Sequence, residues 1–285
     1  MPPSPPPELG DQAAAVERAF VLALGGFALD VAGASCVTHE RIPVPRFNYV
    51  LVTGVSPERQ AAFFERALDH YFQRALRPTF RIPLPVPSHL DAGLRKFAFR
   101  RRPVDSVVRW TSPLPSGPGP ADEFLREASP DDLDKVVALW TDPREREEFR
   151  RALEVVWNRP NPGERVRAIL AEKDGTVLAS GVVYERGPVA GLFGVATVPG
   201  ARGKGVASRL VTHALGLLEG TGVRAVVLAA DAIPGRDRLG TLGFTPLRTF
   251  AEYALPPDAE LTLPPPGAPQ PPRWRPPRRG ATSAG

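Results

Sequence analysis

Proline does most to limit what this chain can fold into, because its 35 prolines among 285 residues gather in a few places where no helix or central strand can then run. Five lie within the first seven residues, four in Ser112-Pro-Leu-Pro-Ser-Gly-Pro-Gly-Pro120, and ten in residues 256–285. This spacing predicts a disordered tail over 1–9, a linker over 112–121 and a second disordered, Pro/Arg-rich tail over 256–285. Two folded stretches remain, 10–111 and 122–255, each of ordinary domain size. The longest nearly uncharged apolar run, Ala19 to Leu29, contains two glycines and falls short of the roughly 20 residues that span a bilayer. The opening MPPSPPPELGDQ has neither the basic nor the apolar region of a secretory signal. A cytoplasmic protein without membrane partners is expected. The single Cys36 excludes an intrachain disulfide framework, and His39, His70, His89 and His213 are too scattered for a structural zinc cluster, so no metal is expected.

The net charge of +5 is unevenly placed. Residues 9–111 carry 14 basic and 9 acidic side chains, whereas residues 112–255 carry 18 and 19. The excess follows Lys96, Arg100, Arg101, Arg102 and Arg109. Without a nucleic-acid-binding module in the pattern, that stretch reads as a solvated face.

Hydrophobic periodicity orders the two stretches. In the first, Phe47–Thr53 reads as a buried strand, Ser56-Pro57-Glu58 opens a helix that runs to about Leu76, and Thr79–Ile82 and Val104–Trp110 are strands. In the second, Ser129-Pro-Asp-Asp caps a helix bearing Leu133, Val136, Val137 and Trp140, and Phe149, Leu153, Val156 and Trp157 mark another. Strands follow at Val166–Glu172 and Thr176–Tyr184, joined at Asp174-Gly175, where a tight hairpin turn needs positive backbone angles. A third strand, Val189–Val198, leads through Pro199-Gly-Ala-Arg-Gly-Lys-Gly-Val-Ala-Ser208 into a helix over Ala207–Glu219 and a short apolar strand, Ala225–Ala230. The junction is an anion site in waiting: orphan N–H groups at a helix start, glycines that allow close approach, and Arg202 and Lys204 beside them. It is not a P-loop, which needs glycine at Val198 and a hydroxyl residue at Gly205, nor a dinucleotide fingerprint, which needs glycine at Ser208.

Arg202-x-x-Gly205-x-Ala207 after a strand, with Leu242-Gly243-Phe244 after the next, resembles the acetyl-CoA-dependent GNAT N-acetyltransferases, and the order of elements over 122–255 supports the resemblance. It implies an α/β fold with a mixed, mostly antiparallel sheet flanked by helices. It also implies acetyl-CoA as acyl donor, with the diphosphate on Arg202, Gly203, Lys204, Gly205, Val206, Ala207 and Ser208. The pantetheine arm would pair with the backbone of Val195, Ala196 and Thr197, which requires the two flanking strands to splay apart. The thioester would then face an amine arriving from the opposite side, on a small molecule or a protein terminus. The tyrosine that the family often uses as acid is replaced by Leu239, and no carboxylate stands on Val189–Val198. The nearest candidate bases are Asp231 and Glu185, and the nearest candidate acids Tyr184 and Tyr253; His213 reads as a solvated helical residue. The first stretch, ending in Lys96-Phe-Ala-Phe99 in place of Lys-Leu-Gly-Phe and lacking the glycine loop, looks like a degenerate second copy. Alternatives to an enzyme are an acyl-CoA-binding regulatory protein and a basic nucleic-acid-associated module.

Overall fold

The structure, a computed structural model, describes residues 5–111, 124–139, 143–231, 238–256 and 259. The predicted linker over 112–121, Trp140, and most of both tails lie outside the described residues. Among the described residues no helix is long and apolar enough to cross a membrane.

Two compact units form, and they interleave along the chain instead of following the proline-rich break. One comprises Met1–Gly26 with Ser106–Thr249, the other Phe27–Asp105 with Phe250–Gly285. Proline shows where a chain cannot be periodic; it does not show which sheet a strand joins, and backbone pairing decides that.

In the first unit, α1 (Leu9–Ala23) buries Val16 and Phe20, and the strands are β6 (Ser106–Thr111), β7 (Leu125–Glu127), β8 (Glu164–Lys173), β9 (Thr176–Arg186), β10 (Val189–Thr197) and β11 (Ala225–Asp231). They order as 7-8-9-10-11-6, with every pairing antiparallel except β10 with β11. Asp174 and Gly175 take φ of 50° and 75°, the left-handed pair the β8–β9 turn requires. Helices α4 (Leu133–Val137) and α5 (Pro143–Asn158) follow β7. The Ser129–Asp132 capping box forms as read, and Arg126 holds the Asp132 carboxyl well below the usual range while also bridging to Glu172. Helix α6 (Val206–Leu217) buries Val206, Leu210, Val211, Ala214 and Leu215 in a core shared with Ala179, Val183, Ala190 and Leu192.

In the second unit an antiparallel hairpin, a strand, a helix and a parallel strand follow one another, as β8 to β11 do in the first. Strands β1 (Phe27–Val31), β2 (Ala34–Thr38) and β3 (Tyr49–Val52) are antiparallel neighbours. Helix α2 (Gln60–Phe72) then leads to β4 (Thr79–Pro83), which pairs with β3 in parallel. Three parallel pairs, Tyr49↔Thr79 to Leu51↔Arg81, match the three between β10 and β11. The chain then forms α3 (Ser88–Lys96), a helix the sequence reading did not anticipate, and the short β5 (Arg100–Arg101). The turns that follow β4 and β11 also agree. Phe99 donates its N–H to Leu94 and Phe244 to Leu239, while Ala98 and Gly243 both sit at positive φ, 61° and 82°. Strand β12 (Thr245–Ala254) pairs with β4 from Phe250 to Tyr253 and with β5 beyond it.

Candidate functional site

The site is built where β10 and β11 part. They pair only at Val189↔Ala225, Ala190↔Val226 and Gly191↔Val227. From Leu192 to Thr197, about 17 Å at the usual strand rise, the β11-facing edge of β10 has no strand pairing. β11 itself stays bound on its other side, in unbroken register with β6 from Val226↔Thr111 to Asp231↔Ser106. The splay that the resemblance requires is therefore present, with backbone groups that an extended amide-bearing arm can satisfy. A bulge between Phe193 and Ala196, with Gly194 at φ 62°, bends β10 at the same place.

At the open end of β10 the chain turns through a 3₁₀ turn, Pro199–Ala201, into the glycine loop. Gly203 (φ 78°) and Gly205 (φ 77°) take left-handed angles that other residues adopt at a cost, and a Cβ on either would meet open space. The glycines are thus needed for backbone angle, and the volume above them is free for a ligand. Gly205 caps α6, whose first N–H groups face out of the loop. Arg202, Gly203 and Lys204 are exposed, and Arg202 Nε donates to the Thr197 carbonyl 3.2 Å away, which steadies its side chain beside the strand end. Val206 is buried beneath the loop, and Ala207 and Ser208 are partly buried in the first turn of α6.

Cross-strand register assigns the faces. Tyr184, Gly191, Val227 and Trp110 form one row across β9, β10, β11 and β6. Phe20 of α1 packs on Tyr184 (centroids 5.4 Å apart) and stacks on Phe193 (4.4 Å, 9°), so α1 covers this face. The opposite face, with Ala190 and Leu192, is covered by α6. Counting by twos along β11 puts Ala229 and Asp231, both exposed, on the α1 face.

The two carboxylates singled out in the sequence part company here. Asp231 stands at the mouth of the opening. Glu185, only 8% exposed, lies on the α6 face opposite Ala190, at the paired end of β10, and binds Arg167 Nε at 2.7 Å. Arg167 also meets Glu127 at 3.3 Å. This carboxylate is held in a buried ion pair with Arg167 at the paired end of β10, away from the opening.

The two tyrosines fare similarly. Tyr184 is fully buried in the α1-face row, and burial holds its hydroxyl proton far above the ordinary range. Tyr253 belongs to the other unit, where its hydroxyl donates to Asp91 at 2.7 Å and burial raises its pKa to about 12. His213 is partly buried, not solvated as expected. Leu239 packs against the α6 core. Sequence reasoning missed α1 and β6 as parts of this unit. The i, i+3, i+4 apolar stripe of α1 (Val16, Ala19, Phe20) was legible, but nothing local names its partner.

The sequence profile of the Acetyltransferase (GNAT) family matches residues 126–236. These residues form a GNAT acetyltransferase domain. Its family carries out acetyl-CoA-dependent acetyl transfer in general. Among curated proteins no sequence relative is found. Similar solved structures include a conserved protein of unknown function from Staphylococcus epidermidis (TM-score 0.61, 10% identity, covering 81% of this chain and 94% of that one). A GCN5-related N-acetyltransferase from Kribbella flavida gives a TM-score of 0.60 at 15% identity, over 86% of this chain and 95% of its own. A tandem GNAT protein from the clavulanic acid biosynthesis pathway gives 0.50 at 16%, over 72% and 74%. At such identities the likeness is one of fold: a mixed, largely antiparallel sheet flanked by helices, with room in the chain for tandem copies.

Proposed function

We propose that the chain transfers an acetyl group from acetyl-CoA to a primary amine by direct attack, with the working site in the Ser106–Thr249 unit. The observation that carries this reading is the parting of β10 and β11 beyond Gly191↔Val227, with the glycine loop at its open end. Arg202, Gly203, Lys204, Gly205, Val206, Ala207 and Ser208 hold the diphosphate through N–H groups, helix dipole and cationic side chains. The edge of Val195, Ala196 and Thr197 receives the pantetheine amides. A neutral amine nitrogen attacks the thioester carbon, a C–N bond forms and the C–S bond breaks. An N–H of the opened β10 edge steadies the oxyanion. The amine proton passes to Asp231, directly or through water, and the departing thiolate takes a proton from solvent, since Leu239 has none to give.

The other unit is read as a second copy that has lost its donor site. Its loop between β3 and α2, Thr53-Gly-Val-Ser-Pro57, puts proline where an N–H would serve a phosphate and Glu58 in the first turn, where charge repels one. Within the basic stretch, Arg101 pairs with Asp105 and Arg102 with Glu252, which weakens a nucleic-acid reading of it.

A rival reading, acyl-CoA binding without catalysis, is favoured by Leu239 and by the lack of a carboxylate on Val189–Val198. One preparation tests both readings: acetyl-CoA titrated by calorimetry, then thiol release measured over mixed amines. Binding with turnover supports the enzyme, binding without turnover the regulatory protein, and absence of binding overturns the site.

A further inference from the structure

We propose that the ring of Phe193 closes the blind end of the opening and keeps the donor's acyl group short, shutting out chains of hexanoyl length. The proposal rests on the acetyl-transfer reading above and adds the residue that selects the donor.

The opening is free at the glycine loop and shut at its other end. On that reading, a donor with its diphosphate on the loop and its arm along Val195 to Thr197 points its acyl group toward the last pair, Gly191↔Val227. Straight ahead stands that paired backbone. On the α6 face the way is filled by Leu192 and Leu228, both buried in the core that α6 covers. The α1 face is left, and there an aromatic ring stands in the way.

Counting by twos from Gly191 sets Phe193 on the α1 face. A Cβ at Gly191 would collide with Cε2 and Cζ of the Phe193 ring and press on Val16, so the ring lies folded back over the glycine, and any other residue at 191 would push it off. Phe20 stacks on the ring, 4.4 Å away and 9° from parallel. Phe20 is itself buried and held against the buried Tyr184. With glycine beneath and Phe20 above, the ring has no room to turn aside for a longer chain, and forcing one in would overpack the site. Phe193 nonetheless remains partly exposed, within reach of a ligand. The first β11 residue beyond the last pair on this face is Ala229, exposed and too small to select by size, so selection falls to the ring.

Calorimetry on the full chain with CoA, acetyl-CoA and hexanoyl-CoA tests this without an acceptor. The wild type is expected to bind CoA and acetyl-CoA within a few-fold of each other and hexanoyl-CoA at least about tenfold more weakly. Phe193→Ala leaves an apolar hollow under Phe20 that a hydrocarbon tail can fill, so hexanoyl-CoA should gain at least about tenfold while CoA and acetyl-CoA stay within a few-fold of wild type. Phe20→Leu keeps the ring but loses its stack, and should gain about threefold for hexanoyl-CoA; it carries the test if Phe193→Ala does not fold. If the wild type binds hexanoyl-CoA as tightly as acetyl-CoA, or a variant that binds CoA leaves the ratio of the two unchanged, the ring is not the wall and the donor site stands. If CoA itself does not bind the wild type, the acetyl-transfer reading falls and takes this one with it.

Discussion

Helix α6 supplies its own control for the donor site. Gly205, at its start, and Gly220, just past its end, have φ of 77° and 73°, and a Cβ on either meets nothing within 4 Å. A side chain at either position therefore incurs the same backbone strain, about 1–2 kcal/mol. For a unit of this size each kcal/mol moves Tm by about 2–4 °C, so Gly205→Glu and Gly220→Glu should melt similarly below the wild type without ligand. Acetyl-CoA at 100 times its Kd contributes about 2.7 kcal/mol to a protein that binds it, a rise of about 5–11 °C. Wild type and Gly220→Glu should show that rise in differential scanning calorimetry. Gly205→Glu should not, because its side chain and negative charge fill the volume that the diphosphate needs. If Gly205→Glu keeps the rise, the loop is not the diphosphate site. If both variants lose it equally, strain in α6 accounts for the effect and the reasoning from open volume fails.

Four further outcomes follow from the carboxylates, the tyrosine and the buried histidine. Asp231→Asn should lower kcat/KM by about 10²–10⁴ with acetyl-CoA affinity unchanged. Glu185→Gln should keep turnover within a few-fold but lose on the order of 3 kcal/mol in chemical denaturation, because Arg167 stays buried without its partner. Tyr253→Phe removes the hydrogen bond to Asp91 and should cost about 1–2 kcal/mol in stability, with kcat unaltered, as befits a residue outside the donor site. His70 is held down to about 4 by burial and by Arg74, with Nε2 2.7 Å from Thr38 Oγ1. The unfolded chain binds that proton first, so stability should be full above pH 6.5 and fall by up to about 3 kcal/mol as pH drops to 4, measured by denaturant titration and flattened in His70→Gln.

What the sequence made legible is what short-range physics dictates. Asp174-Gly175 can hardly be anything but a tight turn, Ser129 with Asp132 caps a helix by hydrogen bonds three residues apart, and two glycines at a strand–helix junction announce left-handed angles. The glycine loop and α6 were readable for the same reason. Asp231 and Glu185 were not separable, since both are acids at strand ends, and only register shows one at an open mouth and the other in a buried ion pair. Gly191 looked like any glycine in a strand. Its use, to admit Phe193 beneath Phe20, depends on a helix about 170 residues earlier in the chain.

The least legible feature is the exchange of strands. Each half of the chain runs hairpin, strand, helix, parallel strand and a Leu-to-Phe closing turn, so each is expected to finish its own sheet. Instead β6, which follows the first closing turn, pairs with β11, and the end of β12, which follows the second, pairs with β4. No local pattern can reveal this, because Val107, Val108 and Trp110 would bury equally well beside either parallel strand. The exchange has a consequence for folding: neither side of the proline-rich break holds all the strands of one unit, so residues 1–111, without β12, and 122–285, without β6, expressed separately should each lack a strand and expose a row of unpaired backbone groups. Separate expression should therefore give aggregated halves, and coexpression should give soluble protein that binds acetyl-CoA. Stable monomeric halves with protected amides on β4 and β11 in hydrogen exchange would refute the exchange.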